Sequence, residues 1–409
     1  MKSLFNNRYG FLFGAGAVIV FVGLFVIPTL ASTTYLRGSD ATTTPRLGIT
    51  SSENLPVSSH VATPSAVKGI YISGCAIGTP SFRNSLIQLV EETDLNTVII
   101  DIKDFSGTIS FGTDDPKFKD ASLVSCGVKD MKALIEELHA KNIYVIGRIT
   151  VFQDPYYAKL HPNEAVQSKS RVGEPWHDHK GLQFIDVSSK PFWNYIVDLS
   201  KLSYSQGYDE LNYDYVRYPS DGDMKDAVYQ NPNKAEALEI FFRYLHEQID
   251  PIGVVMSADV FGLAASNSDD LGIGQVLERA LPYFDYIMPM VYPSHYPKGF
   301  NGLSDPNVYP YEVVNYAMEK AVARTVALTT LTPALAQTRI ASTSPQQYSK
   351  IAYDKNKIRP WLQDFNYGKT YTPADITAQI KATTDAGLTS YIFWDAGNKY
   401  SNIRAVFGK

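Results

Sequence analysis

Two aspartates at the ends of apolar runs are the residues of this sequence best suited to chemistry. Asp214 lies at the end of the run ELNYDY, and Asp259 directly follows the run GVVMSA. Glycoside hydrolysis needs two carboxyl groups, one protonated to release the leaving oxygen and one ionised to attack the sugar or to activate water. Asp214 and Asp259 are therefore the predicted catalytic pair of a glycosidase.

A wider set of polar and aromatic residues lies within or just after other apolar runs, and we predict that it binds substrate. The set consists of Asp101, Lys103, Arg148, Arg217, Tyr292, His295, Gln363, Asp364, Trp394 and Asp395. A single aspartate at the end of a strand usually caps a helix. Several carboxylates around one rim would, however, repel one another unless cations or a substrate balanced them.

Basic residues of the same set could supply that balance. We expect Arg217 to hold one catalytic carboxylate ionised, while the apolar neighbourhood of Val260 and Phe261 raises the pKa of the other. Adjacent parallel strands lie about 4.8 Å apart. A retaining enzyme needs about 5–5.5 Å between its carboxyl groups and an inverting one about 6.5–9.5 Å, so both outcomes stay open.

Candidate metal ligands are sparse. Among the seven histidines, only His177 and His179, on either side of Asp178, have a spacing that suggests ligands. Such a triplet is more often part of a solvated loop. We therefore predict neither a metal ion nor a cofactor.

The elements that must position these residues alternate between strand and helix. Eight short runs are apolar on both faces and mostly rich in β-branched and aromatic residues, as parallel strands covered on both sides must be. The predicted strands are Lys68–Ser73, Thr97–Ile102, Ile143–Ile149, Glu210–Tyr215, Gly253–Ala258, Tyr286–Val291, Lys357–Leu362 and Ser390–Trp394.

Helix patterns lie between these runs, with apolar residues at spacings of three and four. They cover Pro80–Glu92, Val128–Lys141, Pro191–Gln206, Asn233–Gln248, Ile273–Leu281, Pro310–Ala323 and Pro373–Ala386. The alternation predicts an α/β fold, a single (β/α)₈ TIM barrel over residues 67–409, with the active site at the carboxyl ends of the strands. A doubly wound open sheet is disfavoured because no glycine-rich phosphate turn follows the first strand.

Two connections are long for such a barrel. One follows the third strand and runs from Asp154 to Asp186, and the other, around Thr329–Gln347, precedes the seventh strand. Because long barrel loops usually carry function, we expect both to help build a substrate groove.

The N-terminal residues predict export. Residues 11–30 are free of charge and follow Lys2 and Arg8, the pattern of a helix that crosses a membrane with its basic side in the cytoplasm. A cleaved signal peptide, with Thr29-Leu30-Ala31 as the cleavage site, is the alternative. Residues 1–31 are thus the predicted membrane anchor or signal, and residues 32–66, rich in Ser, Thr and Pro, a disordered linker.

Composition limits the partners. A net charge of −5 and the lack of a basic patch argue against nucleic acid. The 27 tyrosines suit a sugar site but fill ordinary cores equally well. Cys75 and Cys126 either pair with each other or remain two free thiols.

Six segments resemble a family of glycoside hydrolase domains of unknown function within the TIM-barrel glycosidase group. They are GIYISGCAIG (69–78), ETDLNTVIIDIKDFSG (92–107), IYVIGRITVFQDP (143–155), YDELNYDYVRYPSDG (208–222), YIMPMVYPSHY (286–296) and IRPWLQDF (358–365). The resemblance implies a barrel whose site is lined by Asp101, Lys103, Asp214, Asp259 and Asp364.

We therefore expect a glycoside hydrolase that acts on an extracellular or cell-envelope polysaccharide and is held at the membrane by its N-terminal helix, or secreted if that segment is cleaved. A non-catalytic carbohydrate-binding barrel at the envelope is the second hypothesis. A metal-dependent deacetylase is the third.

Overall fold

The computed structural model describes residues 60–408. The predicted membrane segment and most of the predicted linker lie outside this range. Within residues 60–408, no helix has the length and apolar character needed to cross a bilayer.

Eight parallel strands close into a barrel, as the sequence predicts. The register pairs the first strand with the second at Gly69 and Thr97, and with the last strand at Lys68 and Tyr391. The strands are β1 (Lys68–Ile72), β2 (Thr97–Lys103), β3 (Tyr144–Thr150), β4 (Glu210–Asp214), β5 (Val255–Phe261), β6 (Tyr286–Met290), β7 (Trp361–Gln363) and β8 (Tyr391–Trp394).

Helices surround the barrel. They are α1 (Gly74–Gly78), α2 (Pro80–Glu91), α3 (Met131–Ala140), α4 (Pro155–Leu160), α5 (Lys190–Ser205), α6 (Lys234–Ile249), α7 (Gly262–Ser266), α8 (Leu277–Ala280), α9 (Pro310–Val326), α10 (Pro373–Asp385) and α11 (Ser401–Phe407). Short 3₁₀ turns cover Pro162–Glu164, Asp250–Ile252, Pro293–His295, Phe300–Gly302, Pro306–Val308 and Lys355–Lys357.

The helix predicted over Ile273–Leu281 is reduced to the single turn of α8. Gly272 and Gly274 have φ values of +67° and +86°, a left-handed backbone that no helix interior adopts. The helix therefore begins only at Leu277.

The two long connections lie in different places. The segment after β3 follows the carboxyl ends of the strands, and its strand Gln167–Ser168 pairs with Ala227–Val228 from the loop after β4. The segment before β7 instead follows the C-terminal end of α9 and folds into a small antiparallel sheet of Thr329–Thr330, Thr338–Arg339 and Tyr348–Ser349.

The second segment contacts α6 and the connection that follows β5 and α7. The Leu335 N–H donates to Glu239 of α6, and the Thr332 hydroxyl donates to the carbonyl of Ser268. That this segment helps to build a substrate groove stays a prediction.

Large side chains and a buried ion pair fill the barrel interior near the amino ends of the strands. Arg359 Nη1 lies 2.8 and 3.0 Å from the two carboxylate oxygens of Glu210, and the Tyr144 hydroxyl donates to the same group at 3.1 Å. Both charged side chains are fully buried. The interior is thus a packed core and not a channel.

Residues 60–66, which we call the strap, lack helix or strand but contact the amino end of the barrel. The Val61 N–H donates to Asp209 Oδ1 at 2.7 Å, and the hydroxyls of Thr63 and Tyr144 are 3.0 Å apart. The His60 ring stacks on Tyr204 with 4.0 Å between centroids. The folded body therefore extends ahead of the predicted start at residue 67.

Cys75 and Cys126 form a disulfide, which selects one of the two alternatives left open by the sequence. The bond joins α1 to the loop between β2 and α3, and both segments follow the carboxyl ends of their strands.

Candidate active site

Three carboxyl groups and one guanidinium meet at the carboxyl ends of β2 to β5. Strand register places Asp101 beside Arg148, and it pairs Tyr213 with Ala258, so that Asp214 and Asp259 follow side by side. The exposed fractions of Asp101, Asp214 and Asp259 are 2%, 5% and 1%. Such close burial of acids requires a cation, and Arg148 provides it.

Arg148 contacts all three acids. Its Nη1 donates to Asp101 Oδ1 at 2.7 Å, and its Nε donates to Asp214 Oδ2 at 3.0 Å. The same Nε lies 3.9 Å from Asp259 Oδ2. Burial alone would lower the pKa of Arg148, but the charges of Asp214 and Asp101 outweigh burial and raise that pKa.

Asp259 has an asymmetric environment. Its Oδ1 accepts hydrogen bonds from Asn212 Nδ2 at 2.8 Å and from Trp361 Nε1 at 2.7 Å. Its Oδ2 is buried without a hydrogen-bond partner among the described residues. Burial raises the pKa of Asp259 well above its ordinary value, and the charge of Asp214 raises it further, although Arg148 acts against both.

Asp101 is held from two sides. The Tyr71 hydroxyl donates to its Oδ2 at 2.6 Å, opposite the bond from Arg148. Burial raises the pKa of Asp101 although Arg148 and Tyr71 lower it. Asp101 therefore helps to fix Arg148.

An aromatic surface lies beside Arg148. Trp394 stacks on Tyr71 with 3.9 Å between ring centroids, and the guanidinium carbon of Arg148 lies 5.1 Å from the Trp394 ring. Trp394 is half-buried, so part of its ring remains available to a ligand. A planar ring of this kind can contact the apolar face of a sugar.

Tyr292, His295 and Gln363 lie on the β6 and β7 side of the mouth. Gln363 Oε1 accepts from the N–H and the hydroxyl of Ser294, at 3.2 and 3.0 Å. Gln363 is fully buried, so it fixes the loop after β6 and does not face solvent. Tyr292 and His295 are carried by that loop.

Lys103 lies away from the site, contrary to the prediction. Its ammonium group is buried, bonds to Asp154 Oδ2 at 2.7 Å and lies over the Phe192 ring of α5. The register of β2 shifts between Asp101 and Lys103. This irregularity breaks the alternation of the strand and turns Lys103 towards the helix layer.

Arg217 does not pair with a catalytic carboxylate, which corrects a second expectation. Within residues 60–408 it makes no ion pair; its Nη1 donates to the Tyr218 carbonyl at 3.0 Å. Its guanidinium lies 4.8 and 4.9 Å from the rings of Tyr215 and Phe261. Burial lowers the pKa of Arg217. Arg148 takes the role that the sequence assigned to Arg217.

Asp364 and Asp395 accept hydrogen bonds from nearby backbone and side-chain groups. Asp395 accepts the N–H groups of Gly397 and Lys399, at 2.9 and 2.8 Å. Asp364 Oδ1 accepts from Asn402 of α11 at 2.8 Å. Burial raises the pKa of Asp364 to about 6. Asp395 thus holds the turn after β8, Asp364 helps to dock α11, and neither carboxylate bonds to Arg148 among the described residues.

Three residues of the site escaped the sequence analysis. Tyr71, Asn212 and Trp361 each donate to one of the clustered aspartates. Asn212 carried a usable signal, because residues two apart on a strand share a face and Asn212 lies two before Asp214. Nothing in the sequence pattern indicated that the indole of Trp361 would reach Asp259 across the barrel.

A metal site is not formed by the described residues, in which no three His, Cys, Asp or Glu side chains are grouped to hold an ion. His177 Nδ1 donates to the Asp178 carbonyl, 3.1 Å away, within the loop after β3.

Comparison with known proteins identifies relatives. Residues 69–400 match the model of a family described as "putative glycosyl hydrolase domain". No curated protein matches this chain.

Two solved glycosidase structures share the fold, and a third structure is similar in sequence over half of this chain. The glycoside hydrolase domain of PgaB (BpsB) from Bordetella bronchiseptica is 13% identical, with a TM-score of 0.55, covering 84% of this chain and 99% of that one. The α-L-fucosidase isoenzyme 2 of Paenibacillus thiaminolyticus is 10% identical, with a TM-score of 0.53. The similarity covers 83% of this chain and 48% of the fucosidase chain. A hypothetical protein from Ruminiclostridium thermocellum is 28% identical over 50% of this chain and 98% of its own, with a TM-score of 0.42.

Proposed function

We propose that this chain, which belongs to the family of glycosyl hydrolase domains matched by residues 69–400, is a glycoside hydrolase whose catalytic carboxyl groups are Asp214 and Asp259. The observation that supports the pair most strongly is their unequal environment. One carboxylate contacts Arg148 directly, whereas the other is buried with one oxygen unpartnered among the described residues. Two neighbouring acids with different protonation states are what glycoside hydrolysis requires.

Asp214 is the ionised member. Arg148 donates to its Oδ2 from both Nε and Nη2, and the Tyr215 N–H donates to its Oδ1 at 2.6 Å. Charge-assisted hydrogen bonds of this kind hold the carboxylate in a fixed position. Asp214 therefore attacks the anomeric carbon or activates water.

Asp259 is the protonated member. Two donors already occupy its Oδ1, so the proton belongs on Oδ2. That oxygen lies 3.9 Å from Arg148 Nε, whose nearest carboxylate is Asp214. A proton held there is available to the leaving oxygen of a glycosidic bond placed between the two acids.

The test is turnover of a polysaccharide panel by the wild-type chain and by two isosteric variants. We expect Asp214→Asn and Asp259→Asn each to lower kcat by about 10²-fold or more, since acid–base catalysis alone contributes about 10²–10⁴-fold. Asp285→Asn, at the amino end of β6, is the matched control and should retain wild-type kcat. Undiminished turnover in both site variants would refute the assignment.

We further propose that the enzyme acts outside the cytoplasm, on an extracellular or envelope polysaccharide. The Cys75–Cys126 disulfide and the uncharged run at residues 11–30 support this, because disulfides persist in oxidising compartments. Fractionation of cells that express the full chain should recover it from membranes or medium. Recovery from the cytoplasm alone would contradict export.

A non-catalytic carbohydrate-binding protein is the second candidate. It is favoured by the near-complete burial of Asp259, which leaves little room for a reacting bond without movement of the site. Glycan binding without turnover under all conditions of the panel would select it.

A further inference from the structure

A row of four rings runs outward from the candidate active site over the loops that follow β6 and β7. We call Tyr292, His295, Phe365 and Tyr367 the aromatic strip. The Tyr292 ring centroid lies 5.7 Å from that of His295 and 5.4 Å from that of Phe365. The centroids of His295 and Tyr367 are 5.5 Å apart.

The inner end of the strip adjoins the catalytic pair. Burial raises the pKa of Tyr292 well above its ordinary value, and the charges of Asp259 and Asp214 add to this effect. Tyr292 packs in the same buried cluster as Trp361, whose Nε1 donates to Asp259 Oδ1. The outer end, Tyr367, is 63% exposed, so the strip connects the reaction centre with solvent.

Hydrogen bonds hold the two loops of the strip together. Gln363 accepts from Ser294 of the β6 loop, and its Nε2 donates to the Phe365 carbonyl of the β7 loop at 2.9 Å. Asn307 Nδ2 donates to the Tyr367 carbonyl at 2.7 Å. The backbone under the rings is thus fixed before any ligand arrives, which lowers the entropy lost on binding.

Tyr367 packs on His295 with one part of its ring and leaves the rest in solvent, where a ligand can reach it. Tyrosine suits a sugar surface because its ring is apolar and its hydroxyl is polar. The partial burial of His295 lowers its pKa, so its ring is neutral at neutral pH. The strip is therefore an uncharged, ring-lined surface that continues from an acidic centre.

We propose that the aromatic strip binds sugar units beyond the cleaved bond, so that the substrate is a polysaccharide chain that leaves the mouth between β6 and β7. The choice of ligand rests on the proposed function. Apolar faces of pyranose rings stack on aromatic side chains, whereas a charged polymer would find no ionic partner on the strip itself. A short glycoside would occupy only the centre and would not reach Tyr367.

The experiment measures binding and turnover separately with the full chain. Affinity electrophoresis in soluble starch, xylan, glycol chitin and hydroxyethyl cellulose identifies the polymer that retards the wild-type protein. Tyr367→Ala should weaken binding of that polymer by about tenfold, a change that corresponds to about 1.4 kcal/mol. Tyr367→Phe retains the ring and should bind as the wild type does.

Ile351→Ala is the matched control, because Ile351 is 68% exposed and follows the small sheet on the flank of the barrel. It should leave binding unchanged. In turnover assays, Tyr367→Ala should raise KM for the polymer by about tenfold while kcat on a short aryl glycoside of the same sugar stays at the wild-type value.

The outcomes separate this inference from the proposed function. If polymer binding depends on Tyr367 but no turnover occurs, the sugar-binding role of the aromatic strip is supported and the hydrolase proposal is refuted. If the protein turns over the polymer but Tyr367→Ala binds it as tightly as the wild type does, the sugar-binding role of the aromatic strip is refuted. The hydrolase proposal then stands. If the wild-type protein binds none of the polymers, the proposal that the aromatic strip binds sugar units is also overturned.

Discussion

Arg148 balances the charge of the candidate site, since it contacts Asp101 and Asp214 and lies near Asp259. We predict that Arg148→Met abolishes turnover and destabilises the protein more at pH 8 than at pH 5. Arg148 lowers the pKa of Asp101, so its removal lets burial raise that pKa further. A group whose pKa is raised in the folded state stabilises the fold at low pH. This stabilisation is lost as the pH rises.

Thermal unfolding at both pH values measures the effect. Arg148→Lys, which keeps the charge but loses the fork of donors, should show the smaller pH dependence. An equal loss of Tm at pH 5 and pH 8 in Arg148→Met would contradict the argument.

Trp361 tunes Asp259, and this gives a prediction about the pH profile. The proposed mechanism requires the proton on Asp259, so it predicts that kcat falls as pH rises through the raised pKa of that group. The hydrogen bond from Trp361 lowers the pKa of Asp259. Trp361→Phe removes the donor and should move the alkaline limb of kcat to higher pH. A purely structural role would lower kcat without moving the limb.

Asp364 offers a stability test, because burial raises its pKa to about 6. The unfolded chain ionises this group near its ordinary pKa, so the folded state loses stability as pH rises through about 6. Asp364→Asn removes the loss and should raise the free energy of unfolding at pH 7 by about 2–3 kcal/mol, since each pKa unit corresponds to about 1.4 kcal/mol. Urea unfolding at pH 4 should show no such gain.

At the scale of elements, strand ends were predictable and side-chain directions less so. Asp214 and Asp259 lie side by side because in-register parallel strands place equivalent positions together, which the sequence pattern contains. Lys103 differs because the register of β2 shifts just before it. Arg217 differs because Tyr215, with φ of +51°, turns the chain directly after β4. Neither local irregularity is visible in a hydrophobic pattern.

The disulfide joins two elements at the mouth, and its contribution can be measured. Cys75 and Cys126 are separated by 51 positions, and closing a loop of this size stabilises a protein by about 4 kcal/mol in the chain-entropy description. We expect a reductant to lower the free energy of unfolding by about 2–4 kcal/mol. The double variant with Cys75→Ser and Cys126→Ser should show the lower free energy of unfolding both with and without reductant. Equal stability of oxidised and reduced protein would contradict this.

At the scale of the whole molecule, the closed barrel followed from the alternation of strands and helices, whereas the limits of the folded body did not. The strap has a composition typical of a linker, yet its backbone bonds to Asp209 and its Thr63 contacts Tyr144. Only the folded barrel offers these partners. The composition of residues 60–66, taken alone, therefore places the strap in the predicted linker.

Truncation tests the strap. A chain that begins at His60 keeps every described contact of the strap and is the reference. A chain that begins at Val67 should lose about 2–4 kcal/mol, since it loses the bonds to Asp209 and Tyr144 and the apolar contact of Val61. Equal midpoints for the two truncated chains would show that the strap is dispensable.

The docking of the strap also determines how the protein can be handled. Because residues 60–66 attach where the strands begin, the polypeptide enters the barrel at the end remote from Asp214 and Asp259. A resin, fusion partner or fluorescent label coupled through the N-terminal side should therefore leave the entrance unobstructed. Bulky polymers should reach an enzyme immobilised in this way as readily as they reach the free one.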